Sequence, residues 1–234
     1  MKPISYIIGD IHGQADLLEK LRENIVGYHD WKFPQQPGQV IYLGDYIDRG
    51  PKSLEVIDMA MSGISNFESI FLKGNHEQFV LEACYSYDRS TWHNWMSAGG
   101  EITLKSLGYD LFEHGYDAEI LRDYLGPSRL KWLKNLKLSY RLNDIVCVHA
   151  GLVPDVPLAD QVEKDMLWIR NRFLKSDFDF GFGVVHGHTP EKRPIVKQNR
   201  ICIDTGAGMG GELTALVVDK PWPELRLDPK FLSV

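Results

Sequence analysis

The sequence predicts an α/β fold interrupted by a helical insertion, on three observations. A unit of apolar strand, then glycine with a polar residue, then helix occurs three times in succession from the start of the chain. Helical segments dominate between about Gln78 and Leu136, and from Leu138 the pattern turns mostly to strand. The 234 residues are 44% apolar and 25% charged, ordinary for a soluble globular protein and enough to bury one large core without staples. Disorder, collagen and simple coiled coil are thereby ruled out. A single domain over residues 1–234 is expected, with the insertion at about 78–136.

The first strand is the apolar run Ile4 to Ile8, ending at Gly9-Asp10, and Gln14 to Ile25 then carries helix-spaced Leu17, Leu18 and Leu21. Val40 to Leu43 is the second run, again ending in Gly44-Asp45. Pro51 suits the first turn of a helix bearing Leu54, Val56, Ile57 and Met59. Ser69 to Leu72 is the third run, ending at Gly74-Asn75, with helix resuming from His76. Such alternation predicts parallel strand pairs, with a ligand site beyond their carboxyl ends.

In the insertion Trp92, Trp95, Leu104, Leu107, Leu121, Leu125, Leu130 and Leu133 are the apolar anchors, punctuated by Gly99-Gly100 and Gly126-Pro127. Core packing is the simpler use of such a stripe; a cap lining a substrate groove is the other. Beyond it, strands are expected at Ile145 to Val148, Gly183 to Val185, Arg200 to Ile203 and Leu213 to Val218, with a helix over Asp165 to Leu174.

Twenty-six basic against 32 acidic residues give a formal charge of −6. A protein built to hold duplex nucleic acid or an anionic membrane is usually basic, so neither partner is expected. Cys84, Cys147 and Cys202 are odd in number, far apart and without a CxxC pair, so they point to buried thiols in a reducing compartment. Met1-Lys2-Pro3 leads straight into a strand too short for a signal-peptide core, and no 18-residue apolar stretch occurs. A cytoplasmic protein is expected.

Five segments carry the chemistry: Gly9-Asp10-Ile11-His12-Gly13, Gly44-Asp45-Tyr46-Ile47-Asp48-Arg49-Gly50, Gly74-Asn75-His76-Glu77, His149-Ala150-Gly151 and Gly187-His188-Thr189-Pro190. Each sets Asp, Asn or His just after an apolar strand and beside glycine. Strand ends fix position, and glycine lets backbone and ligand approach closely. Any one of them alone reads as a turn or helix cap. Converging in one cleft, they make a mixed oxygen and nitrogen donor set suited to Mn, Fe, Zn or Co.

These motifs, in this order, resemble the metal-dependent phosphoprotein phosphatases within the calcineurin-like metallophosphoesterases, whose signatures are GD-x-HG, GD-x-x-DRG, GNHE, HAG and GH[TM]. The span from Gly9 to Pro190 covers most of the chain, and the style is that of compact bacterial and phage-type serine/threonine phosphatases. The resemblance implies a β-sandwich flanked by helices and two divalent metal ions, manganese first among the candidates. It implies Asp10 and His12 as ligands of the first metal, Asp45 as the bridging carboxylate, and Asn75, His149 and His188 as ligands of the second. Two cations about 3.5–4 Å apart clamp a phosphate and make a hydroxide nucleophile at neutral pH.

By the same resemblance His76 is the general acid and Asp48 orients it and raises its pKa. Arg49 offers a planar fork for phosphate oxygens. Arg170, in Trp168-Ile169-Arg170, is the second clamp, with a plain helix-surface charge as its alternative. His186 precedes the Gly187-His188 ligand motif and is expected to pack nearby. Pro190 stands where nuclease-type relatives place another histidine, which argues against that branch. The Gly206 to Gly211 run with Met209 looks like a loop at the rim, because phosphate-binding glycine loops open a helix and this one leads into a strand.

The function implied is hydrolysis of phosphoserine or phosphothreonine proteins, with phosphotyrosine or small phosphoesters as further substrates. The alternative is a dinucleoside-polyphosphate hydrolase such as the bacterial diadenosine tetraphosphatases, which share the motifs. The second motif of that branch usually lacks the aspartate that stands here as Asp48.

Overall fold

Residues 2–234 are described by a computed structural model. In chain order, β1 (Ile4–Ile8) leads to α1 (Ala15–Lys32), β2 (Gly38–Tyr42) to α2 (Ser53–Ser62) and β3 (Phe67–Phe71) to α3 (Asn75–Ala83). The insertion contributes α4 (Arg89–Ser97), α5 (Gly100–Leu107), α6 (Leu111–His114), α7 (Ala118–Leu125) and α8 (Pro127–Lys134). Then come β4 (Ser139–Leu142), β5 (Ile145–Val148), α9 (Glu163–Trp168) and α10 (Asn171–Leu174). The remainder comprises β6 (Gly183–His186), β7 (Ile195–Val196), β8 (Arg200–Cys202), β9 (Thr214–Val218), α11 (Trp222–Leu227) and β10 (Lys230–Ser233).

The strands form two five-stranded sheets, ordered β10-β9-β1-β2-β3 and β4-β5-β6-β8-β7. β1, β2 and β3 are parallel, as are β5, β6 and β8, while β9, β10, β4 and β7 pair antiparallel at the flanks. Side-chain alternation explains the layers. Ile7, Ile41, Leu43 and Leu216 of the first sheet meet Ile145, Cys147, Val185 and Ile201 of the second in one apolar cluster. The opposite faces, Tyr6, Ile8, Val40 and Tyr42, pack under α1, α2 and the insertion. Val146, Val148 and Val184 face Met166, Ile169 and Phe173 of the α9–α10 segment. Strands covered on both faces read as unbroken apolar runs, which is why their alternation was invisible in the sequence. The architecture is thus a mixed α/β sandwich of two sheets flanked by helices.

One expected element is broken. The helix over Asp165 to Leu174 stops at Trp168, where Ile169 is extended (φ −61°, ψ 139°), and restarts at Asn171. The Met166 carbonyl, which an uninterrupted helix would bond to Arg170 N–H, instead accepts the Ala150 N–H at 2.8 Å. The three cysteines are free and buried, as expected. Among the described residues no helix is long and apolar enough to cross a membrane.

Candidate active site

The chemistry-bearing segments follow the carboxyl ends of β1, β2, β3, β5 and β6, so both sheets deliver side chains to one edge of the sandwich. The first two loops interlock: Ile11 and His12 N–H both bond the Asp45 carbonyl, and Gly13 N–H bonds Tyr46 O at 2.8 Å. A Cβ on Gly50 would lie 2.1 Å from the His12 carbonyl oxygen, so only glycine permits this approach. His12, Asp45, Asp48, Arg49 and His188 all hold left-handed backbone conformations (φ 48°, 52°, 71°, 65° and 65°). Such geometry costs on the order of 1–3 kcal/mol per residue and persists only where surrounding contacts enforce it.

Asp45 sits at the centre. Its Oδ2 lies 3.4 Å from His12 Nε2 and 3.8 Å from His76 Nε2, and its Oδ1 lies 3.5 Å from His149 Nε2. Two donor clusters share it: His12, Asp45 and His76, and Asp45, His149 and His188. Asn75 Oδ1 joins the second, 3.0 Å from His149 Nε2 and 2.9 Å from His188 Nδ1. Asp10 is oriented through its Oδ2, which accepts the His188 N–H at 2.9 Å, and His76 rather than Asp10 completes the first cluster.

This arrangement fits divalent cations. His149 Nδ1–H donates to Leu43 O at 3.0 Å, which leaves its Nε2 lone pair facing Asn75 and Asp45 oxygens, while His12 Nδ1–H donates to Ile47 O at 2.9 Å and turns its Nε2 toward Asp45 and Arg49. Acceptors turned toward acceptors are repulsive unless a cation lies among them, and such backbone-anchored imidazoles are the usual outer support of a metal. Asp10 Oδ1 and His188 Nε2 are buried without any hydrogen-bond partner. Burial, then neighbouring Asp204 and Asp45, hold Asp10 well above the carboxylate range. Burial draws His12 down to about 3 and, with His149 beside it, His188 down to about 2, so both stay neutral as ligands must. Burial acts to raise Asp45, but the imidazoles around it, His149 and His76 first, outweigh it and hold it below the ordinary carboxylate range.

Beside the donors, His76 Nδ1–H donates to Asp48 Oδ2 at 2.7 Å. Burial lowers the proton affinity of His76, but Asp45 and Asp48 outweigh it, and the imidazole titrates above its ordinary value. Arg49 spans the cleft, its Nη1 2.9 Å from His12 Nε2 and its Nη2 3.2 Å from His76 Nε2. Arg170 is exposed at the break before α10, and its charge reaches His149 and His188. It stands at the N-cap of α10, between the two helices. His186 is fully buried, its Nδ1 3.1 Å from Gly187 O and its ring edge-on to Phe173. The loop after β8 is at the rim: a Cβ on Gly208 would lie 2.7 Å from that of His12.

Two residues escaped the sequence analysis. Glu77 is fully buried and accepts the N–H groups of Gly74, Asp45 and Tyr46, each at 2.8 Å, tying the second and third loops together. Burial and Asp45 push its carboxyl up to about 7. Its place three residues into α3, after the Gly74 cap, is a capping-box position and was the available signal. Asp204, just beyond β8, neighbours Asp10, and burial raises it to about 6. It shares the signature of an acidic residue after a strand and before glycine.

The sequence pattern of the calcineurin-like phosphoesterases matches residues 5–197. The chain belongs to this family. It is 32% identical to serine/threonine-protein phosphatase 1 of Salmonella typhimurium, over 89% of each chain. It is 28% identical to the asymmetrical bis(5'-nucleosyl)-tetraphosphatase PrpE of Anoxybacillus flavithermus, over 90% of this chain and 88% of the relative. The fold is shared with the cold-active protein-tyrosine phosphatase of a psychrophilic Shewanella, with TM-score 0.59 and 16% identity over 93% of this chain and 77% of that one. The chain is a metallophosphoesterase, a hydrolase whose family implies divalent metal ions.

Proposed function

We propose that the chain is a phosphomonoesterase acting on phosphoserine and phosphothreonine in proteins. The observation that carries this reading is the buried His76–Asp48 pair at 2.7 Å. A seryl or threonyl alkoxide is a poor leaving group that needs a proton, whereas a polyphosphate leaves readily without one. An acid held in place by its own carboxylate is most useful against an alkyl phosphate. The 32% identity to a serine/threonine-protein phosphatase supports the same substrate class.

In this proposal Asp10, His12, Asp45, Asn75, His149 and His188 hold two divalent cations, manganese first. Bound there, the cations neutralise phosphoryl charge and lower the pKa of the water that attacks phosphorus. Arg49 and Arg170 grip the equatorial oxygens, Arg49 through its fork. His76 delivers a proton from Nε2 to the leaving oxygen, and Asp48 fixes the ring through Nδ1.

A second reading, hydrolysis of dinucleoside tetraphosphates, is favoured by the likeness to PrpE. Turnover with Mn²⁺ of a phosphoserine peptide and of diadenosine tetraphosphate separates the two. A higher kcat/KM on the peptide is expected, and preference for the dinucleotide would overturn the proposal.

A further inference from the structure

The carboxylate behind His76 is itself gripped from the insertion. Thr103 Oγ1, on α5, donates to Asp48 Oδ1 at 2.5 Å. Trp95 Nε1–H, on α4, is shared between the two Asp48 oxygens at 3.1 and 3.0 Å. The Asp48 N–H lies 2.9 Å from Thr103 Oγ1 and 3.1 Å from Ser53 Oγ, and the two hydroxyls are 3.0 Å apart. Asp48, Ser53, Trp95 and Thr103 are all fully buried. At the corner joining α4 to α5, the Gly99 carbonyl accepts the Arg49 N–H at 3.4 Å.

We propose that Thr103 and Trp95, carried by the helical insertion, are positioning residues for proton delivery by His76, acting through Asp48. The proposal rests on the acid role given to His76 above. Asp48 has one oxygen on the imidazole and needs the other tied down, because a carboxylate free to rotate lets the ring swing with it. Thr103 fixes Oδ1, Trp95 straddles both oxygens, and the ring is left with Nε2 toward the cleft. As the bond from phosphorus to the leaving oxygen breaks, its electron pair stays on that oxygen and takes the Nε2 proton. The attacking water forms the new P–O bond and releases its own proton to solvent. The insertion thus reaches the chemistry through two buried donors.

The test uses the Mn²⁺-loaded enzyme and four variants, Thr103→Val, Thr103→Ser, Trp95→Phe and His76→Asn. Each is assayed on a phosphoserine peptide and on p-nitrophenyl phosphate, whose leaving group hardly needs a proton. Thr103→Val and Trp95→Phe should lower kcat on the peptide by about 10–10², with about 3-fold or less on the aryl ester. KM and metal content should hold, and Thr103→Ser should restore the rate, because it returns the hydroxyl. Trp95→Phe keeps a ring in the core and decides the matter if Thr103→Val does not fold. Equal losses on both substrates from Thr103→Val and Trp95→Phe, while His76→Asn discriminates between them, would overturn the positioning role alone. If His76→Asn also fails to discriminate, the acid role falls and the positioning role falls with it.

Discussion

Replacing Glu77 by Gln keeps the side-chain shape while taking one acceptor from the junction of two loops. In the native chain Oε2 accepts the Asp45 and Gly74 N–H groups and Oε1 accepts that of Tyr46, all at 2.8 Å and shielded from water. A carboxamide can present its oxygen to only one of these two sides. With the oxygen toward Asp45 and Gly74, its NH₂ faces the Tyr46 N–H, and a buried donor left unpaired costs about 1–3 kcal/mol. The two remaining bonds lose their charge assistance, about 1 kcal/mol each. Burial and Asp45, which push the native carboxyl up to about 7, offset part of this. A net loss of about 2–4 kcal/mol corresponds to roughly 5–15 °C in midpoint for a chain of this size. Thermal unfolding by circular dichroism in chelator reads the effect without metal linkage obscuring it. A shift below about 2 °C would refute the view that Glu77 joins these loops.

Chelation should abolish activity and Mn²⁺ restore it; Asp45→Asn should cost more turnover than Asp10→Asn or His188→Asn, since Asp45 alone lies in both donor clusters. Turnover that persists at near-zero metal content contradicts this. His76→Asn should lower kcat on alkyl phosphates by about 10²–10⁴. Because Asp45 and Asp48 outweigh burial and hold His76 above its ordinary value, the native rate on such substrates should fall as pH rises through that raised value. The variant should lack that limb, and a pH profile that keeps it assigns the limb to another group. Arg49→Ala should leave two metals bound while weakening phosphate inhibition and cutting kcat/KM by about 10–10³, and Arg170→Ala should act likewise. Loss of metal from Arg49→Ala, read by elemental analysis, would make the arginine a brace.

The five chemistry-bearing segments are legible because glycine and a polar residue punctuate apolar strands in a regular way, and the structure brings all five to one edge. Less legible was whatever tertiary contact decides. Met166, Ile169 and Phe173 have spacing that suits an unbroken helix, and only the Ala150 N–H captured by Met166 O reveals why the chain turns there. β7 has two residues and β10 mixes polar with apolar, and each is held at a sheet edge by its neighbour rather than by its own pattern. The pattern around Trp95 suits the core or a groove wall. The side chain is fully buried, yet its one polar atom is spent on Asp48, a use that neither hydropathy nor spacing encodes. Glu77 stood inside a motif already singled out, but its three partners come from loops separated in sequence.

The order in which the sheets are threaded has a consequence for biosynthesis. β1 lies between β2 and β9, so it waits for a partner at Thr214–Val218, far along the chain, before both its edges are paired. Likewise Asp10 waits for the backbone of His188, 178 residues later. A nascent chain therefore carries an open, apolar strand edge until β9 has emerged, the kind of surface that invites non-native pairing. It also lacks the Asp45, His149 and His188 donor cluster until the segment after β6 has emerged. Until His188 emerges that donor cluster is incomplete, and a product truncated before β6 lacks it.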